Sequence, residues 1–163
     1  MNGSPALYDL LKELKIPFEY HEHPPAPTIE IAMEYWAKMD SGHCKNLFFR
    51  NHKGNRHYLV ILDHRANLDV KKLESLLKQG KISFASESRM EKYLGLKPGS
   101  VSPFGLINDP DKHVYVFLDD ELKNQEKLSF HPLENTASLI IHYTDLIRFL
   151  NHCGNGYEFI KLY

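Results

Sequence analysis

The chain of 163 residues holds only two cysteines, Cys44 and Cys153, and a single tryptophan. Two thiols cannot build a disulfide framework, which excludes the stapled scaffolds of small secreted proteins and suits a reducing compartment. No apolar run approaches the roughly 20 residues of a membrane span, so no membrane partner is expected. The opening Met1-Asn2-Gly3-Ser4-Pro5 has neither a basic nor an apolar stretch, so no signal peptide is expected and the expected location is cytoplasmic. An excess of one charge is missing as well. Lys plus Arg number 20 and Asp plus Glu 21, a net of -1. That excludes a protein that coats nucleic acid indiscriminately, since such binding rests on many phosphate contacts, and no DNA partner is expected. Also absent are GxGxxG, Walker A, HExxH, paired CxxC and GxSxG patterns. No cofactor is therefore expected.

What is present is ordinary for a globular protein: 42% hydrophobic and 25% charged residues, without a repeat or a Gly/Ser linker. A chain of this length forms one domain, residues 1–163, with a core of its own. Ser4 and Pro5 open a helix carrying Leu7, Leu10, Leu11 and Leu14, which stops before Pro17. A strand is expected at Phe18 to His21, then a stiff connector through Pro24 to Pro27. Thr28 caps a second helix with a buried stripe of Ala32, Tyr35, Trp36 and Met39. Strands follow at Cys44 to Arg50 and Tyr58 to Asp63, joined by a turn containing Gly54. The second of these is almost wholly apolar and reads as central.

A third helix carries Leu68, Val70, Leu73, Leu76 and Leu77 and ends at Gly80; Ser88 with Glu91 forms a capping box for a fourth, through Leu94. The Pro- and Gly-rich stretch from Lys97 to Gly105 reads as loop. Strands are expected at His113 to Leu118, Ser138 to His142 and Tyr157 to Lys161, with a last helix capped by Thr144. Helices and strands intermix without strict alternation, which gives an α+β fold, a mixed sheet flanked by helices.

Charge is uneven along this neutral chain. Residues 43 to 81 hold nine Lys and Arg against Asp63, Asp69 and Glu74, a net of +6, so the remainder sums to -7. Such a segment is either a solvated surface or a face for a polyanion. The ten histidines include His21, His23 and His43, yet no four-ligand zinc spacing appears, so no metal site is expected. Cys44 opens an apolar strand and reads as a small core residue.

Three segments stand out. Lys45-Asn46 begins a strand whose later residues are apolar, so the lysine can project into a cleft or simply snorkel at the surface. The stretch Gly99 to Gly105 can bind by main chain or can be a plain connection. Phe130-His131-Pro132, with Asn135 and Thr136 behind it, can orient a polar substrate or can be a turn.

Taken together and in order, Cys44-Lys45-Asn46-Leu47-Phe48-Phe49, Arg56 to Val60, Leu96 to Asp109 and Phe130 to Ser138 resemble the YbaK/prolyl-tRNA-synthetase-associated-domain family. The likeness is to its freestanding prolyl-tRNA-editing members, the Ala-tRNA(Pro) deacylases, and runs from the first helix to the helix at Asp145. The resemblance implies that family's fold and a trans-editing hydrolase for mischarged tRNA, which acts at the 3′-terminal adenosine with help from the substrate's own 2′-hydroxyl. A pocket too small for proline would admit alanine, because a synthetase rejects a smaller side chain by only about 1–3 kcal/mol.

By the same resemblance Lys45 serves the terminal phosphate or the transition-state charge, and Asn46 supports the backbone or ribose. Ser102, Pro103, Phe104 and Gly105 offer main-chain groups to the aminoacyl end, Asn135 helps to bind it, and His131 shapes the pocket and orients the amino group or carbonyl. The implied partner is mischarged tRNA, with prolyl-tRNA synthetase as a further partner it allows. Alternatives are a deacylase for Cys- or Ser-tRNA, a non-catalytic module that holds tRNA or a synthetase, and a metal-binding protein built on the histidines.

Overall fold

Ser4 starts the first helix as expected. In the computed structural model, which describes residues 1–25 and 28–163, its hydroxyl accepts from the Leu7 N–H and Pro5 occupies the first turn of α1 (Pro5–Glu13). Leu7 and Leu11 are its buried face. After β1 (Glu19–Glu22), Thr28 caps α2 (Ile29–Trp36) through its side chain. The expected connector between them ends at Ala26 and Pro27, which lie outside the described residues. The stripe expected to be buried on α2 is not: Ala32, Tyr35 and Trp36 are half-buried, and only Met39, beyond the helix, is covered.

Next come β2 (Gly42–Arg50), β3 (His57–Asp63) and α3 (Val70–Leu77). Asp69 caps α3 by accepting from Lys72 N–H. The helix stops at Lys78, which takes the left-handed conformation at φ 53, two residues before the expected Gly80. A two-residue strand, β4 (Ser83–Phe84), precedes α4 (Glu87–Leu94). Ser86 caps α4 by accepting from Arg89 N–H, so Ser88 lies inside the helix and no box with Glu91 forms. Gly95 closes it at φ 65.

Residues expected as loop from Pro103 instead form a 3-10 helix, Pro103–Asn108. Then come β5 (Val114–Asp119), a second 3-10 helix (Asp120–Asn124), β6 (Lys127–Phe130) and β7 (Ala137–His142). The chain closes with α5 (Tyr143–Cys153) and β8 (Tyr157–Ile160). Helix α5 begins before Thr144, which is therefore not its cap.

The strands form one mixed sheet in the order β1-β7-β6-β2-β3-β5-β8, with β4 also paired to β2. Neighbours are antiparallel except β6–β2, β3–β5 and β5–β8, which run parallel. β3 sits between β2 and β5 and is buried on both faces, as its unbroken apolar run demands. Leu59 and Ile61 join the larger core with α1, α5 and the 103–108 turn; Tyr58, Val60 and Leu62 join a smaller one under α3 with Leu73 and Ile82. Phe104 anchors the larger core, edge-on to Phe149 at 5.3 Å and to Phe130 at 6.0 Å. No described helix is long and apolar enough to cross a membrane.

Candidate active site

Strand β2 pairs with β3 along its length from Cys44 to Arg50. Its other edge is divided. At one end Gly42 and His43 pair with β6; at the other Phe49 and Arg50 pair with β4. Between those two ladders, residues 44–48 have no strand paired to this edge among the described residues, a gap of roughly 16 Å at about 3.3 Å per residue. A cavity of about 240 Å³ opens there. Lys45 and Asn46 of β2, Gly99 and Val101, Trp36 of α2 and His131 are among the residues that line it.

Alternation along β2 turns Cys44, Asn46 and Phe48 to one face of the sheet and Lys45, Leu47 and Phe49 to the other. Because the edge is open, residues of both sets border the cavity. Lys45 is half-buried and makes no ion pair among the described residues. It is the one charged side chain in the lining apart from the titratable His131 and Cys44. Asn46 is half-buried, and its Oδ1 is shut from solvent with no hydrogen-bond partner. A buried acceptor left open in this way costs stability and marks a place for an incoming donor.

His131 is fixed from behind. Its Nδ1 lies 2.7 Å from the Ala137 carbonyl oxygen, which can only accept. Nδ1 therefore carries the proton and Nε2 the lone pair. Burial lowers the pKa of the ring; the Ala137 bond opposes that and the neighbouring His23 adds to it. The neutral form is thus favoured. His23 lies 5.7 Å from the His131 ring, centre to centre, and stacks on Tyr35. It bonds Ser138 Oγ through Nε2 at 2.9 Å and donates from Nδ1 to the Pro24 carbonyl. The Cys44 thiol is buried, and that burial, with Asp63 and Asp119 nearby, pushes its pKa well above the ordinary value, so it is no nucleophile.

The structure brings Lys45, Asn46 and His131 to one cavity. It does not bring Ser102, Pro103, Phe104 and Gly105 to its wall: all four are buried beneath it. Two of the main-chain N–H groups expected to meet a ligand there are already taken. Phe104 N–H donates to Ser102 Oγ, and Gly105 N–H donates to the Ser102 carbonyl. Ser102 Oγ in turn donates to the His131 carbonyl at 2.8 Å, so the segment props up the histidine. The part of the loop that lines the cavity lies earlier, at Gly99 and Val101.

Asn135 stands behind Gly99, its Nδ2 3.4 Å from where a Cβ on that glycine would fall. Trp36, Thr28 and Ala32 also line the cavity and were not singled out from the sequence as site residues. Trp36 lies flat against His43 at 4.6 Å, which ties α2 to the start of β2. The signal for Ala32 and Trp36 was the amphipathic stripe of α2, which looks the same whether it covers a core or lines a cleft.

Among the described residues no three His, Cys, Asp or Glu side chains converge to hold a metal. The site therefore offers one free cation, a neutral imidazole with an available lone pair, an open amide acceptor and a small cavity, with no activated nucleophile. Such a set can position an anionic or polar ester and stabilise charge on it, and leaves the attack to water or to the substrate.

The model of the aminoacyl-tRNA editing domain matches residues 23–149. The chain is similar to the prolyl-tRNA editing protein ProX of Acetoanaerobium sticklandii, 38% identical over 162 residues, which is 99% of each chain. It is 30% identical over 154 residues to prolyl-tRNA synthetase associated domain-containing protein 1 of Bos taurus, covering 92% of this chain and 90% of that one. Among solved structures it shares its fold with a protein proposed as a trans-editing enzyme for prolyl tRNA synthetase. There the TM-score is 0.73 at 21% identity, covering 99% of this chain and 98% of the other.

Proposed function

The chain belongs to the aminoacyl-tRNA editing domain family, and from that premise we propose that it is a trans-acting hydrolase that removes alanine from mischarged tRNA(Pro). The 3′ end of the tRNA enters the gap along β2. Water adds to the ester carbonyl, the bond from the acyl carbon to the 3′-oxygen breaks, and that oxygen leaves with a proton, assisted by the adjacent 2′-hydroxyl. Lys45 meets the terminal phosphate or the charge developing on the carbonyl oxygen. Asn46 Oδ1 accepts from a ribose hydroxyl, and His131 Nε2 accepts from the amino group of the amino acid. A cavity of about 240 Å³ has room for the small alanyl end, and the rejection of proline falls to the shape of the lining rather than to its volume. Residues 1–163 act as one editing domain, in the cytoplasm, on tRNA that prolyl-tRNA synthetase has mischarged.

The observation that best supports this reading is the unpaired Lys45 beside His131 and the open Asn46 acceptor, in a gap that no strand fills. The test is a panel of pre-charged tRNAs. Ala-tRNA(Pro) is expected to lose its amino acid well above the spontaneous rate while Pro-tRNA(Pro) is spared. Equal or faster release from Cys- or Ser-tRNA would move the specificity elsewhere, and binding without turnover of any member would make the protein a carrier.

A further inference from the structure

A second crevice, of about 540 Å³, shares no lining residue with the active site. It lies where the parallel strands β3 and β5 end, at Asp63 and Asp119, with Lys161 just past the end of β8. Its lining carries four carboxylates, Asp63, Asp119, Asp120 and Glu121, against two cations, Arg65 and Lys161.

Three of the carboxylates are already engaged. Asp63 takes a two-pronged contact from Arg65, Asp120 pairs with Lys123, and Glu121 accepts from Asn124. Asp119 differs. It is 1% exposed, and neither of its oxygens has a hydrogen-bond partner. It stands at the cap position of the 120–124 turn, yet its side chain makes no cap bond. The Tyr163 hydroxyl lies near it; burial, then the approach of its hydroxyl to the Asp119 carboxylate and the charge there, push that hydroxyl up to about 12, but the two do not reach hydrogen-bond geometry. An unpaired carboxylate in a buried position is costly, and a native fold keeps one where something arrives to pair with it.

We propose that this crevice binds a small linear organic cation of the polyamine class, with one ammonium group docked on Asp119 and a second held near Glu121 at the mouth. An ammonium brings three donors, enough for both open oxygens of Asp119, and the Tyr163 ring supplies a face for it. Asp119 and Glu121 are the two lining carboxylates that no cation pairs with among the described residues, and two such groups suit a ligand with two positive charges. A bare metal ion fits less well, because no three ligating side chains converge among the described residues.

The experiment is calorimetric titration of the whole chain with spermidine, without tRNA, so that its outcome is independent of the deacylation assay. Saturable one-to-one binding is expected, with Mg²⁺ at equal concentration failing to displace the ligand. Asp119→Asn is expected to weaken binding by about tenfold or more, the loss of a charge-assisted contact. No saturable binding at millimolar spermidine, displacement by Mg²⁺, or unchanged affinity in the variant would each overturn the proposal. Should Asp119→Asn fail to fold, Glu121→Gln and Tyr163→Leu at the crevice mouth replace it; each is expected to weaken binding about threefold. Full affinity in both would overturn the proposal.

Discussion

Replacing Lys45 by methionine keeps the stem of the side chain and removes its charge. The ammonium has no ion-pair partner among the described residues, so no internal pair is broken. The residue is half-buried on a strand edge, and the expected change in folding stability is below about 0.5 kcal/mol, as for surface sites without special contacts. The effect on activity is different. At about 4 Å from a phosphate or developing oxyanion, with an effective dielectric near 20, the bare interaction is about 4 kcal/mol. Exchange with water reduces a charge-assisted contact to about 1.5–3 kcal/mol net. That corresponds to a fall of about 10- to 150-fold in kcat/KM. The assay is alanine release from Ala-tRNA(Pro) under subsaturating conditions, run beside a urea titration of the same variant. Activity within twofold of the parent would refute the role of Lys45. So would a parallel collapse of the urea midpoint, since the loss would then reflect unfolding.

Two further outcomes follow from packing and burial. Gly105→Ala places a Cβ 2.8 Å from Leu96 Cδ1 and 3.2 Å from Leu94 Cβ, in the floor beneath the site, and is expected to cost about 1–3 kcal/mol in a urea titration; an unchanged midpoint would contradict the packing there. His43 and His57 are both lowered from 6.5 to about 4, chiefly by burial, with the neighbouring His64 and His113 respectively as the next causes. The unfolded chain therefore binds protons that the folded one refuses, so stability is complete above about pH 6.5 and is lost as pH falls towards 4. After allowance for screening by solvent, the loss is on the order of 1–2 kcal/mol per histidine, and a urea midpoint unchanged between pH 7 and pH 4.5 would refute it.

Much of the fold could be read along the chain because its determinants are local. Ser4 and Thr28 cap their helices through contacts three residues away, and the unbroken apolar run of β3 could only be a strand covered on both sides. Where two local solutions compete, the chain alone does not decide. Ser86 and Ser88 both precede a helical stretch, and the pairing of the preceding residues through β4 and Ala85 to β2 selects the earlier one. The left-handed Lys78 ended α3 ahead of the more obvious Gly80. Ser102 to Gly105 have the composition of a ligand-binding loop. Their burial follows from Phe104, whose ring is drawn between Phe130 and Phe149, residues distant in sequence.

The site was legible in its residues but not in its cause. Lys45-Asn46 and His131 could be picked out as an ordered pattern, yet nothing along the chain shows why a lysine at the start of an apolar strand should face a cavity. The reason lies in the two strands that sequence patterning misses. β4 is two residues long, and β6, Lys127-Leu128-Ser129-Phe130, is too short and mixed to read as a strand apart from its pairing with β7. These two hold opposite ends of one edge of β2, and the stretch they leave unpaired is 44–48. An edge left open costs a protein protection against misassociation unless it is covered. Here α2 and the 99–101 loop cover it loosely, and the space between becomes the cavity. Net charge misleads for the same reason. A sum of -1 over the chain says little about a cavity whose one permanent charge is the Lys45 ammonium; the field at the gap is set by what the open edge admits.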